Sequence, residues 1–178
     1  MFLVGAWAWW RFIPESTDRY ANIEQHFKYG SIGADNTQRG LPYWIWKVLP
    51  EMFPEYLPDT GKPGYEAFGL IRESGTDRYI GFSKRRVLGL EFVGLNCAVC
   101  HVSTYRESLE ETPQLVVGMP AHQLNLQGMF QFFFQCVSDS RFNVGNVFAA
   151  IETQTWLGPA DRILYGQAID RFRVSVLA

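Results

Sequence analysis

The strongest constraint in this sequence is five residues long: Cys97-Ala98-Val99-Cys100-His101. Two thiols at i and i+3 with a histidine directly behind them form the c-type haem attachment pattern, because both sulfurs reach a porphyrin edge while the imidazole reaches the iron. A zinc site would need two further ligands, drawn from His26, His122, Cys136 and scattered carboxylates. A redox dithiol of the thioredoxin kind wants a strand ahead of it and makes no use of His101. The motif therefore favours one covalent haem c, with Cys97 and Cys100 as thioether sites and His101 on the iron. Cys136 is left over in the apolar run Phe132-Phe133-Phe134-Gln135-Cys136-Val137 and reads as a small buried hydrophobe.

Composition agrees with a buried flat group without demanding one. Fourteen Phe, eight Tyr and six Trp make 16% of the 178 residues aromatic, and rings of this kind suit a planar cofactor, a membrane interface or a ring-rich core. The net charge of −2 is far from the basic balance of a nucleic-acid binder, which excludes that class of partner. Only 19% of residues are charged, so little charge is left to cover a free surface. This thin coverage predicts membrane or redox protein partners.

Covalent haem attachment belongs to the exported side of a membrane, which places the chain in the periplasm. The opening run Met1 to Trp10 has three tryptophans in four positions with Arg11 behind them, as at the interfacial end of a membrane helix. It is shorter than the roughly 20 residues of a span. Residues 1–14 are therefore expected to be the remnant of a membrane anchor or signal.

Residues 15–89 read as a short helix followed by an irregular, aromatic wrapping arm. Tyr20, Ile23 and Phe27 fall at helical spacing and Gly30 ends the pattern. Beyond it, Pro42, Pro50, Pro54, Pro58 and Pro63 permit only short elements such as a helix from Tyr43 to Leu49. Residues 90–178 read as the helical haem-binding domain. One helix is expected from about Glu91 to His101, one from Pro120 to about Val137, one from Val144 capped by Asn143, and one opened by Pro159. The predicted fold class is thus mainly α.

Function turns on the iron's sixth position, where a strong ligand makes an electron carrier and an open site permits oxygen chemistry. His122 and Met119 are the leading candidates, since they stand together 21 and 18 residues beyond His101. His26, Met52 and Met129 supply the remaining usual ligand types.

Four blocks carry a family resemblance: Phe27 to Gly33, Leu41 to Pro50 with Phe53-Pro54, Val93 to His101, and Gly118-Met119-Pro120-Ala121-His122-Gln123-Leu124. Together they resemble dihaem cytochromes related to the rubber-cleaving oxygenase and, more distantly, bacterial dihaem cytochrome c peroxidases. The resemblance implies two fused haem domains, of which only the first has a counterpart here, as in a fragment or a one-haem relative. Cys97, Cys100 and His101 take the family's attachment and ligand positions, and His122 matches a recurring one. Val102-Ser103-Thr104 stands where relatives have a Thr-Gly-Thr-like turn. With one attachment motif and no second one to feed a reactive site, the expected function is electron transfer in an exported-side, membrane-associated complex. The alternative is a haem-dependent oxygenase or peroxidase.

Overall fold

From Phe82 to Leu95 the chain reads FSKRRVLGLEFVGL, and it folds as a hairpin whose ladder runs from Phe82 opposite Leu95 to Val87 opposite Leu90. The computed structural model describes residues 19–30, 40–73, 75–87 and 89–177, together with Gly5, Trp9, Phe12 and Ile13. In chain order its elements are helix α1 (Ile23–Tyr29), strand β1 (Leu41–Pro42), helix α2 (Tyr43–Met52), strands β2 (Phe82–Val87) and β3 (Leu90–Leu95), the one-turn helix α3 (Ala98–His101), strands β4 (Val102–Tyr105) and β5 (Gln114–Val117), and helices α4 (Leu126–Ser138), α5 (Val144–Glu152) and α6 (Pro159–Leu177). Short 3-10 turns at Pro54–Tyr56 and Gly64–Phe68 link α2 to the hairpin.

The architecture is mixed α/β, with an antiparallel sheet in the order β1-β3-β2 and a separate β4-β5 pair. This corrects the expectation of a mainly α, cytochrome c-like domain. The expected helix from Glu91 to His101 is strand β3 followed by a single helical turn. Gly89 takes φ +80°, a conformation open to glycine and outside the helical region, and it closes the hairpin. Both edges of β3 are then paired, to β2 and to β1. Lys84 and Glu91 add a diagonal cross-strand ion pair at 2.9 Å.

The helices of the C-terminal half lie close to their expected places. Asn143 caps α5 by accepting the Asn146 N–H, and Pro159 opens α6. Helix α4 begins six residues later than Pro120, at Leu126, where Asn125 accepts the Gly128 N–H. Ahead of it the chain is drawn to other segments, Ala121 donating to the Cys100 carbonyl and Asn125 to that of Phe68.

The aromatic arm is built into the core. Ile45, Val48 and Leu49 of α2 are fully buried in one cluster with Phe132 and Val137 of α4, Ile151 of α5 and Phe172 of α6. Pro50 lies inside α2 and has no N–H to give the carbonyl of Trp46. The hydroxyl of buried Tyr65 donates to that carbonyl instead, at 2.6 Å, while its ring stacks on the Trp46 ring with centroids 4.6 Å apart. Burial pushes the Tyr65 phenol well above its ordinary pKa, so it remains a donor.

Among the described residues no helix is long and apolar enough to cross a membrane. The longest, α6, has 19 residues but carries Asp161, Arg162, Asp170, Arg171 and Arg173. The expected membrane anchoring, and the periplasmic membrane-bound location built on it, are corrected accordingly. Apart from Gly5, Trp9, Phe12 and Ile13, the segment 1–14 on which that expectation rested lies outside the described residues.

Because Tyr65 replaces the helix bond that Pro50 removes, Tyr65→Phe orphans a buried carbonyl. It should destabilise the protein by about 1–3 kcal/mol in urea unfolding, the cost of an unsatisfied buried acceptor. A loss below about 0.5 kcal/mol would show that the bond does not hold α2.

Candidate functional site

The Cys97–His101 turn sits where strand β3 ends and the chain reverses into β4. Cys97 is the residue before α3, and its carbonyl accepts the amides of Cys100, at 3.2 Å, and His101, at 3.1 Å. The helical turn places both thiols and the imidazole on its outer side: Cys97, Cys100 and His101 are exposed, while Ala98 and Val99 between them are buried.

The buried side is held by groups distant in sequence. Asn96, only 4% exposed, donates through its side-chain amide to the carbonyls of Gly30, at 2.8 Å, and Lys28, at 3.3 Å. Its side-chain oxygen accepts the Ala98 amide at 2.9 Å, an Asx turn that starts the helical turn. Gly81, at φ +91°, lies directly beneath: a Cβ there would stand 2.4 Å from the Val99 backbone. Ala98 and Val102 pack with Tyr29 and Ile80 in a small apolar cluster of their own. The cavity at this contact, lined by Ile71, Ile80, Ala98, Val99 and Gln123 among others, measures about 10 Å³, at most one water.

The end of α1 that Asn96 grips is itself fixed by charge. Lys28 is 3% exposed and pairs with Glu24 at 2.5 Å and Glu73 at 2.7 Å, and the Tyr29 hydroxyl donates to the other oxygen of Glu73. Burial works against the Lys28 charge, but the two carboxylates outweigh it and raise the ammonium's pKa. Glu73 answers in the opposite sense. Its partial burial favours the neutral acid, and the bonds from Lys28 and Tyr29 nevertheless hold its carboxyl below the usual range. The Arg78 guanidinium lies 4.5 Å above the Tyr29 ring, closing the cluster.

The segment after β5 returns to the turn, so the sequence candidates Met119 and His122 do come beside Cys97–His101. Gly118 donates to the His101 carbonyl at 2.8 Å and Ala121 to that of Cys100 at 3.0 Å, while β4 and β5 pair from Val102 opposite Val117 onward. Met119 is half-buried and His122 exposed. His122 Nδ1 lies 2.8 Å from the Oγ of fully buried Ser103, whose one proton is directed at Gln123 Oε1, 2.7 Å away. With that proton so directed, Ser103 Oγ accepts from His122 Nδ1. His26 stands apart, its ring stacked on Tyr20 at 5.2 Å.

No group of three or more His, Cys, Asp and Glu side chains comes together as a metal-holding cluster among the described residues. The expectation of a covalent haem c, with iron on His101 and on His122 or Met119, is corrected on this finding, and with it the reading of the chain as an iron-binding or other metal-binding protein. His122 is committed to Ser103, and the turn's apolar side is filled by Gly81, Ile80 and Tyr29.

The mount of this turn escaped the sequence reading. Asn96 did leave a signal, since an Asn immediately before a helical turn favours an Asx turn. Lys28, Glu73, Gly81 and Ser103 gave none, because their partners are set only by the tertiary fold.

Cys136 is fully buried on α4, and burial pushes its thiol well above the ordinary range. Alkylation of the native reduced protein with iodoacetamide should therefore modify Cys97 and Cys100 and spare Cys136, with all three reacting in denaturant. Peptide mass mapping reads the outcome, and native labelling of Cys136 at the rate of the other two would contradict the burial described. No protein-family model, curated protein or solved structure matches the chain.

Proposed function

We propose that the chain is an electron-transfer protein whose working group is the Cys97–Cys100 thiol pair, exchanging electrons with a redox protein partner. One observation carries the reading: two free, exposed thiols stand at i and i+3 on a single helical turn directly after a strand, mounted on a buried polar anchor. A preceding strand is the context that a redox dithiol requires.

The chemistry is dithiol exchange. One thiolate attacks a disulfide of the oxidised partner, forming a mixed disulfide and releasing one partner thiolate. The second cysteine then attacks the mixed disulfide, so the partner leaves as a dithiol and Cys97–Cys100 as a disulfide. Two electrons pass to the partner, and the two protons shed by the cysteines balance those taken up by its thiolates. Residues three apart on a helix hold their Cβ atoms about 5–6 Å apart, whereas a disulfide needs about 3.8 Å. Oxidation draws the two Cβ atoms together, and the disulfide is then open to the same exchange in reverse, as a carrier requires.

Equilibration in glutathione buffers of graded potential, followed by acid quenching, alkylation and mass measurement, tests this. A reversible two-electron transition is expected with a midpoint between about −270 and −120 mV, the range of thiol oxidoreductases. It should vanish in Cys97→Ser and in Cys100→Ser and survive in Cys136→Ser. Thiols that stay reduced in the most oxidising buffer would overturn the proposal, as would a covalent thioether adduct on both sulfurs of the protein as isolated.

A further inference from the structure

A second site lies in a groove between the β1-β3-β2 sheet and α6, on residues separate from the Cys97–His101 turn. Leu41, Leu90 and Phe92 form the sheet wall, and Leu164, Phe172 and Val176 form the helix wall, around a cavity of about 360 Å³. That volume falls within the range of small-molecule sites. From Leu164 to Val176 the helix wall runs 12 residues, about 18 Å at the α-helical rise. An elongated apolar slot of this length suits an extended alkyl chain better than a compact ring.

The polar groups at the groove define the other end of the ligand. Gln167, Arg171 and Ser175 line it at i, i+4 and i+8, a second row of α6 beside the apolar one. Arg162, earlier on the same helix, is paired with Glu152. Arg171, exposed like Gln167 and Ser175, has no hydrogen bond or ion pair among the described residues, so its guanidinium can meet a ligand at the solvent edge of the groove. A single guanidinium flanked by an amide and a hydroxyl matches one planar monoanion held by paired N–H bonds. A phosphate dianion would call for a second cation, and none lines the groove. We propose that this groove binds a single-chain aliphatic carboxylate, with the chain between the sheet and α6 and the carboxylate on Arg171.

Calorimetric titration with dodecanoate below its micelle concentration provides the test, with dodecyltrimethylammonium as the probe of opposite charge. Wild-type protein is expected to bind one dodecanoate per chain and to bind the cationic probe at least about tenfold more weakly, about 1.4 kcal/mol. Arg171→Glu should weaken dodecanoate by about tenfold or more, and Arg171→Gln by less. Ser175→Trp, which fills the groove from its solvent edge, should abolish binding while circular dichroism shows the helices intact. No saturable binding to wild type would overturn the proposal, as would equal affinity in wild type and Arg171→Glu. Dimerisation, or binding to phosphatidylglycerol vesicles, that Ser175→Trp abolishes and dodecanoate does not compete away would overturn it as well, because the groove would then serve a second copy or a lipid surface.

Discussion

The side-chain amide of Asn96 is the joint on which the candidate site depends. It ties together the end of α1, through the carbonyls of Lys28 and Gly30, the hairpin strand that delivers it, and the turn it initiates through the Ala98 amide. Its own backbone is used as well, the N–H donating to the Gly81 carbonyl. Without that side chain the Gly30 carbonyl and the Ala98 amide would lose their partner, at about 1–3 kcal/mol for each group left unsatisfied, while the Lys28 carbonyl would keep the Gly81 N–H at 2.9 Å. Glycine at position 81 is the steric half of the same arrangement, since the turn's backbone rests where any side chain would stand.

Around this joint the protein places its polar groups in an order that accounts for a buried lysine. Lys28, at 3% exposure, has its charge offset by Glu24 and Glu73, and Glu73 also accepts from the Tyr29 hydroxyl. The result is a rigid helix end that offers outward-pointing carbonyls to Asn96. On the other flank, Gly118 and Ala121 bond the backbone of His101 and Cys100, so the turn is clasped from both sides. The turn held in this way keeps both sulfurs at the surface while its backbone is bonded on either side.

Much of this was legible in the letters, and the part that was not has a common cause. Asn143 and Pro159 mark their helices because caps and first-turn prolines act within a few residues. The one helical turn at Ala98 to His101 is equally local, and the sequence places a helix end there. VLGLEFVGL was misread because a short apolar run fits a buried strand and a buried helix equally well, and only Gly89 hinted at the reversal. The anchors Lys28 and Gly30 stand 68 and 66 residues from Asn96, beyond any local pattern. Spacing alone led from the motif to a metal centre, whereas the tertiary fold commits His122 to Ser103 and gathers no metal-holding cluster among the described residues.

Native-state hydrogen exchange at the Ala98 amide tests the central claim most directly, because that single N–H reports whether Asn96 holds the turn. In wild type it should exchange slowly, close to the rate set by global unfolding and alongside the amide of Ile151 in the core of α5. In Asn96→Ala its protection should fall by about tenfold or more relative to Ile151, matching the loss of one buried hydrogen bond. Exchange at the rate of a free peptide in wild type, or unchanged relative protection in the variant, would show that the turn is not mounted on Asn96.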